Sequence, residues 1–366
     1  MKKTGLYIFI SIVTIFANCK SNQYRKSITK LNGTNLNAYG RFDLHQDGTL
    51  ELISAASYTG VTFSDEEIII NASIPGSNQH NYLQYELDGN YIKRLKIVTG
   101  PEQNIIIKAG KGKHKLKIYK ATEATTGPVF IHSIAAKNLA AIAQPEKQMI
   151  EFIGNSITCG AASDESEVPC GQGFYHDQHN AYKSYGPRVA AMLGVNYILS
   201  CVSGIGIYRN WNSDGPVMQD VYEKLSLTET DKRNYDFNSN IPEIVSIALG
   251  TNDFSKGDGI KARLPFDSMR FTNNYIQFIK LVKSKYPEAK IALLTSPAVG
   301  NENAAKHYRY LLHVKTEIDA MYPASFPVSV FAATPIKTQG CTGHPGVEDH
   351  ASIAKALVPF FRQLLQ

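Results

Sequence analysis

The pattern of the chain changes once, near Gln144-Pro145-Glu146, and that change constrains the fold more than any other feature. Before it, short runs rich in Val, Ile, Leu and Tyr recur: Thr49–Ser54, Glu67–Ile74, Tyr82–Leu87, Tyr91–Val98, Gln103–Lys108 and His114–Lys120. Turn clusters separate them, among them Gln46-Asp47-Gly48, Pro75-Gly76-Ser77, Asp88-Gly89-Asn90 and Gly110-Lys111-Gly112. Several runs alternate apolar with polar residues and no helical period competes, which predicts an all-β sandwich or jelly roll. After the change, apolar strands at Met149–Ile153, Tyr197–Leu199, Ile244–Leu249, Ile291–Leu294 and Val328–Phe331 alternate with helical spacing at Tyr182–Leu193, Met269–Lys285, Asn303–Met321 and Ala351–Leu365. Strands alternating with helices predict a doubly wound parallel sheet, with ligands beyond the carboxyl ends of its strands. The expected division is a β domain over residues 39–145 and an α/β domain over 146–366.

The N-terminus reads as an address. Lys2 and Lys3 precede an apolar run from Leu6 to Phe16. That run is shorter than the roughly 20 residues of a membrane span, so residues 1–18 are expected to be a secretory signal peptide. Cys19 follows Phe16-Ala17-Asn18. This order resembles a bacterial lipoprotein cleavage site, whose cysteine is lipidated, although Asn18 replaces the usual small residue. Residues 19–38 are polar and read as a flexible leader. The expected location is outside the cytoplasm: a lipoprotein of the cell envelope tethered by an outer-membrane lipid anchor, or a periplasmic or secreted protein. No later segment is long and apolar enough to span a bilayer.

Export makes disulfides permissible. Cys159, Cys170, Cys201 and Cys341 allow three pairings. Cys159 and Cys170 bracket an acidic loop and are one candidate pair; Cys201 with Cys341 is another; buried free thiols are the alternative. No C-x-x-C spacing is present, so no zinc site, no other metal and no cofactor is expected. A net charge of +6, from 38 basic and 32 acidic residues, is too mild to imply nucleic-acid binding. Twenty tyrosines against one tryptophan suit polar, sugar-facing surfaces.

Four features fall at the ends of the expected parallel strands or in the loops after them: Gly154-Asn155-Ser156, Ser203-Gly204-Ile205-Gly206, Gly250-Thr251-Asn252-Asp253 and Gly343-His344-Pro345. Each alone is weak, since Ser156 or Asn252 could merely cap a helix and Gly204 could merely turn the chain. In a parallel sheet, however, these ends share one edge. The set resembles the SGNH (GDSL-type) hydrolases, whose Ser, Gly, Asn and His match Ser156, Gly204, Asn252 and His344 in order. The stretches FIGNSITCG, SGIGIYRNW, LGTND and GCTGHP are similar to the carbohydrate esterase family 2 branch, whose members deacetylate plant polysaccharides and carry an N-terminal jelly roll. The resemblance covers nearly the whole mature chain. It implies a flavodoxin-like hydrolase domain, and as substrate an acetylated plant polysaccharide or oligosaccharide: xylan, mannan or glucomannan.

The chemistry needs these residue types. A serine hydroxyl is a poor nucleophile until a base takes its proton, which assigns Ser156 and His344 as the catalytic pair. Attack on an acetyl carbonyl puts charge on its oxygen, so the Ser156 and Gly204 backbone N–H groups and the Asn252 amide are expected to form an oxyanion hole. By the resemblance, a triad acid would stand two or three residues before His344. Thr342 and Cys341 occupy those positions and neither is a carboxylate, so either a backbone carbonyl holds His344 in a Ser–His dyad or a distant acid serves; the resemblance implies that dyads occur in this branch, and a dyad is expected. Asn155 replaces the usual Asp of the serine block and is expected to bond the loop backbone. Glu348 and Asp349 read as helix caps. Tyr208, Arg209 and Trp211, in the loop after Gly204, are candidate sugar contacts; Arg209 could instead brace the loop, and the aromatics could pack beneath it. The competing functions are an inactive, surface glycan-binding lipoprotein and an SGNH lipase or thioesterase.

Overall fold

The computed structural model describes residues 28–143 and 147–366. The expected signal peptide, Cys19 and the start of the leader lie outside the described residues.

The first domain is two antiparallel sheets facing one apolar core. In one, the order is Phe42–Leu44, Leu50–Leu52, Val129–Lys137, Glu67–Ser73, Gln103–Lys108; in the other it is Ala140–Ala141, Tyr58–Phe63, His114–Lys120, His80–Leu87, Asn90–Val98. Two short strands, Ile28–Leu31 and Ala38–Tyr39, add to Val129–Lys137 and Tyr58–Phe63. Alternation explains the packing: in Glu67–Ser73, Ile68, Ile70 and Ala72 point into the core while Glu67 faces water.

Residues 28–38, expected in a flexible leader, are a correction. Ile28–Leu31 pairs antiparallel with Ile134–Lys137, and Gly33–Asn35 forms a 3-10 turn capped by Asn32. The strand Ile28–Leu31 lies at an edge with only half-buried or exposed side chains, and only Leu36 of the segment's apolar side chains is buried in the core, so hydrophobic periodicity does not reveal it. Tyr58–Phe63 and Val129–Lys137 are also absent from the expected strands. Gly60 interrupts the first, where a Cβ would come within 2.8 Å of Ile142.

The second domain is a parallel sheet in the order Asn196–Cys201, Met149–Gly154, Ile244–Ala248, Lys290–Leu294, Ser329–Phe331. This is the 2-1-3-4-5 order, whose ligand crevice opens where the chain switches direction, beside the first and third strands. The central strand Met149–Gly154 is buried at every position, as a strand covered on both faces requires. Ser268–Lys285 and Asn301–Met321 pack against each other in one apolar cluster of the sheet, and Tyr185–Leu193 and Val347–Leu364 in the other.

The two domains interlock. Arg41 of the first is fully buried in the second. Its Nε donates to Ser200 Oγ at 3.1 Å, and Nη1 donates to the carbonyls of Tyr222 and Lys224 at 3.0 and 2.8 Å. Its Nη2 lies 3.8 Å from Glu151 in the central strand. The Tyr222 hydroxyl also donates to Glu151, at 2.7 Å. Burial pushes the Glu151 carboxyl up, and Arg41 draws it back.

Candidate active site

Gly154 pairs with Cys201 on one side and Ala248 on the other, so three strands end level at one edge. Gly154 lets the chain turn tightly into the helix that follows: a Cβ there would meet Thr158 Oγ1 at 2.0 Å. Ser156 opens the short helix Ser156–Cys159 and is 7 % exposed. Asn155 caps that helix, its Oδ1 accepting from the Ile157 N–H at 3.0 Å, while its Nδ2 donates to Thr251 Oγ1 at 3.1 Å. Thr251 in turn donates to Ser296 Oγ at 2.8 Å. Asn155 thus bonds the loop backbone, as read from the sequence, and also ties the ends of the first, third and fourth strands.

Gly204 adopts φ +77°, a region that side chains other than glycine rarely enter. The loop after it folds onto the third motif. Asn252 Nδ2 donates to the Ile205 carbonyl at 2.7 Å, leaving its second N–H unassigned. Buried Asp253 accepts the backbone N–H groups of Ile207, Tyr208 and Arg209 at 3.1, 2.9 and 3.3 Å. Burial pushes its carboxyl up to about 6 against the pull of those donors.

His344 Nε2 lies 2.9 Å from Ser156 Oγ. Its Nδ1 lies 3.2 Å from the Cys341 carbonyl and 3.1 Å from Thr342 Oγ1. A carbonyl can only accept, so Nδ1 carries the proton and the Nε2 lone pair faces the serine. Burial holds the imidazole below its ordinary pKa. The 3-10 turn Cys341–Gly343 that presents His344 needs a left-handed Thr342, at φ +51°. The Cys341 N–H donates to the Ala162 carbonyl at 2.8 Å, and the Gly340 N–H to that of His344 at 2.8 Å.

Among the described residues, no carboxylate is a hydrogen-bond partner of His344. Asp349 accepts the N–H groups of Gln339 and Gly346 at 2.7 and 2.9 Å, a capping role that agrees with the sequence reading. Asp164 is held by Ser166, Asn180 and Lys183, which keep its carboxyl near 2 despite burial.

The disulfides are Cys159–Cys201 and Cys170–Cys341. This is neither of the pairs singled out from the sequence. Cys159–Cys201 joins the helix behind Ser156 to the end of the neighbouring strand, and Cys170–Cys341 ties the acidic loop to the histidine turn.

Of the candidate sugar contacts, Tyr208 is buried, with its hydroxyl accepting from the Asp267 N–H at 3.1 Å and its ring edge-on to Phe266. It packs beneath the loop instead of facing ligand. Arg209 is buried too, donating to the carbonyls of Asp253 and Leu264 at 2.8 and 2.6 Å, so it braces the loop. Trp211 is 46 % exposed, with its Cβ 3.9 Å from the Cβ position of Gly204.

Three further residues belong to the surroundings of the site and carry no motif. The Tyr175 hydroxyl lies 3.3 Å from both His344 Nε2 and Ser203 Oγ. Glu123, from the first domain, accepts the Ser203 N–H and lies 3.6 Å from His179 Nε2. Those partners hold its carboxyl low although burial opposes them. Sequence spacing gives no direct hint of them: Tyr175 follows Cys170, outside the stretch that Cys159 and Cys170 bracket, and Glu123 precedes the last two strands of the first domain, Val129–Lys137 and Ala140–Ala141.

Comparison with known proteins fits this geometry. Residues 38–145 match the carbohydrate esterase 2 N-terminal domain, and residues 152–322 match the GDSL-like lipase/acylhydrolase family. An acetylxylan esterase/glucomannan deacetylase of Cellvibrio japonicus is 25 % identical over 340 residues, covering 89 % of this chain and 88 % of that protein. Cellulase/esterase CelE of Acetivibrio thermocellus is 27 % identical over 87 % of this chain, which spans 38 % of that longer protein. The structure of a family two carbohydrate esterase from Clostridium thermocellum, in complex with cellohexaose, superposes with a TM-score of 0.78 at 25 % identity, covering 90 % of this chain and 99 % of that one.

Proposed function

The chain belongs to carbohydrate esterase family 2, and on that premise we propose that it removes O-acetyl groups from plant cell-wall polysaccharide through a Ser156–His344 dyad. One observation carries the reading: the 2.9 Å contact between Ser156 Oγ and His344 Nε2, with Nδ1 turned to a main-chain carbonyl. In the proposed cycle, His344 Nε2 takes the hydroxyl proton as Ser156 Oγ attacks the acetyl carbonyl. The tetrahedral oxyanion is held by the Ser156 and Gly204 N–H groups and the free N–H of Asn252. Collapse breaks the ester C–O bond, and the proton on Nε2 passes to the departing sugar oxygen. Water, deprotonated by the same nitrogen, then attacks the acetyl-serine; the acyl–Oγ bond breaks, the proton on Nε2 returns to Ser156 Oγ, and acetate leaves.

The Cys341 carbonyl does part of what a triad carboxylate does. It fixes tautomer and ring orientation but lends less to the imidazolium than a full charge would. The names of relatives support xylan or glucomannan as the polymer. Export is supported by the basic-then-apolar start of the chain, and the two disulfides suit an oxidising compartment. Lipidation at Cys19 is part of the same proposal.

Acetate release from acetylated xylan, mannan and glucomannan, wild type beside Ser156→Ala, tests the reading. Release from at least one polymer by wild type alone is expected. Equal release by both proteins would remove Ser156 from the mechanism. No release from any polymer, together with no labelling by a serine-directed inhibitor, would favour a glycan-binding protein.

A further inference from the structure

Three clusters of metal-capable side chains occur among the described residues, and two are already occupied by protein groups. Cys170 and Cys341, beside Glu165, are joined in a disulfide. Asp43 and Glu51, beside His45, hold the Arg233 guanidinium at 2.9 and 2.7 Å. The third, His80, His176 and Asp177, holds no such cation.

His80 comes from the first domain, at the start of strand His80–Leu87, whereas His176 and Asp177 lie in the 3-10 turn Tyr175–Gln178 of the second. One donor atom from each lies within 4.8 Å of the others. His80 Nε2 meets Asp177 Oδ1 in a short contact, and the two imidazole centroids are 4.6 Å apart. Buried His176 Nε2 has no hydrogen-bond partner. A buried ring nitrogen left without a partner is costly, and a metal ion would relieve that cost. The carboxylate is already oriented from outside the cluster. Tyr82 donates to Oδ1 at 2.8 Å and the Phe174 N–H donates to Oδ2 at 2.8 Å, the kind of outer support that metal ligands carry. His80 and His176 both line a cavity of about 310 Å³, which leaves room for water in a fourth position.

We propose that His80, His176 and Asp177 form a binding site for one divalent transition-metal ion, zinc above all, that staples the two domains together. Two imidazoles and a carboxylate with one open position are a zinc donor set, and the compact oxygen-rich cage that calcium or magnesium needs is missing. Binding turns the His80 proton from Nε2 to Nδ1, so that both ring nitrogens present lone pairs. The site sits one residue from Tyr175, so the bound ion fixes the turn that brings the Tyr175 hydroxyl to His344 and Ser203. This site stands independently of the esterase reading.

The test uses the full chain, stripped with chelator and titrated with Zn²⁺ alone by calorimetry and thermal melting. Wild type is expected to take up one equivalent and to melt a few degrees higher. His176→Gln, which leaves the contacts of Asp177 with His80, Tyr82 and the Phe174 N–H in place, should melt like the metal-free wild type and bind at least about tenfold more weakly. Tyr82→Phe, which removes only the outer donor, should weaken binding as well. Cobalt should give the visible absorption of a four-coordinate site in wild type and lose it in His176→Gln. Wild type that takes up no zinc, or His176→Gln that binds zinc as wild type does, overturns the proposal.

Discussion

Ser156 and His344 meet across 2.9 Å, yet the turns that carry them are held by different means. The serine turn is built into the sheet. It continues a strand hydrogen-bonded on both sides, it is capped by Asn155, and its supports at Thr251 and Ser296 stand at neighbouring strand ends. The histidine turn has no ladder beneath it. It hangs on the Ala162 carbonyl, the Cys170 disulfide and its own backbone, and its imidazole is oriented by a neutral oxygen. The contrast teaches that a nucleophile can be specified by the strand it ends, while its base depends on contacts far away in the chain.

The strongest way to break this picture is to remove the meeting atoms. Ser156→Ala and His344→Ala should each lower kcat on an acetyl ester by at least about 10⁴-fold with unchanged circular dichroism, since members of such a unit fail together. Asn252→Ala comes next. Its expected loss of about 10²–10³ in kcat with little change in KM marks a donor used in the transition state; a change confined to KM would make Asn252 a substrate contact. Replacing Cys170 and Cys341 together by serine loosens the histidine turn from the acidic loop and leaves the serine turn's supports in place. It should lower kcat about 10- to 100-fold through misplacement of the base, and stability in urea by about 2–5 kcal/mol.

Smaller effects sharpen the claim that no carboxylate serves His344. Glu123→Gln, Asp164→Asn, Asp177→Asn, Asp253→Asn, Glu348→Gln and Asp349→Asn should each keep kcat within about tenfold of wild type. A triad Asp→Asn change costs about 10⁴, so one loss of that size would identify a third member. The smallest effect is on pH. Burial lowers the His344 pKa from 6.5, and only the neutral ring accepts a proton. Activity should therefore stay level from neutral pH downward and fall only as pH drops through a midpoint below 6.5.

The legibility of the site follows the same division. Ser156, Gly204 and Asn252 lie within four residues of strand ends, and strand ends show in hydrophobic runs. His344 was visible for a similar reason, lying just before the last helix. What escaped was whatever pairs across long separations. The disulfides span 42 and 171 residues, so four cysteines in a row carry no record of their partners. Tyr175 and Glu123 reach the site from a loop and from another domain, and neither is marked by spacing. Tyr208 and Arg209 looked like ligand contacts because they follow Gly204. Local order cannot tell a side chain that points out from one that folds under, and Asp253 turns this loop inward.

Arg41 changes what a domain boundary means here. A polypeptide cut at residue 146 would carry all four motif residues, but the Glu151 carboxyl would be left in the centre of the sheet with its guanidinium partner gone. Such an orphaned buried charge costs on the order of 3–5 kcal/mol, a large share of a domain's whole stability. Recombination that exchanged the front module for an unrelated one would meet the same penalty. The two modules are therefore expected to travel through evolution as a single heritable piece.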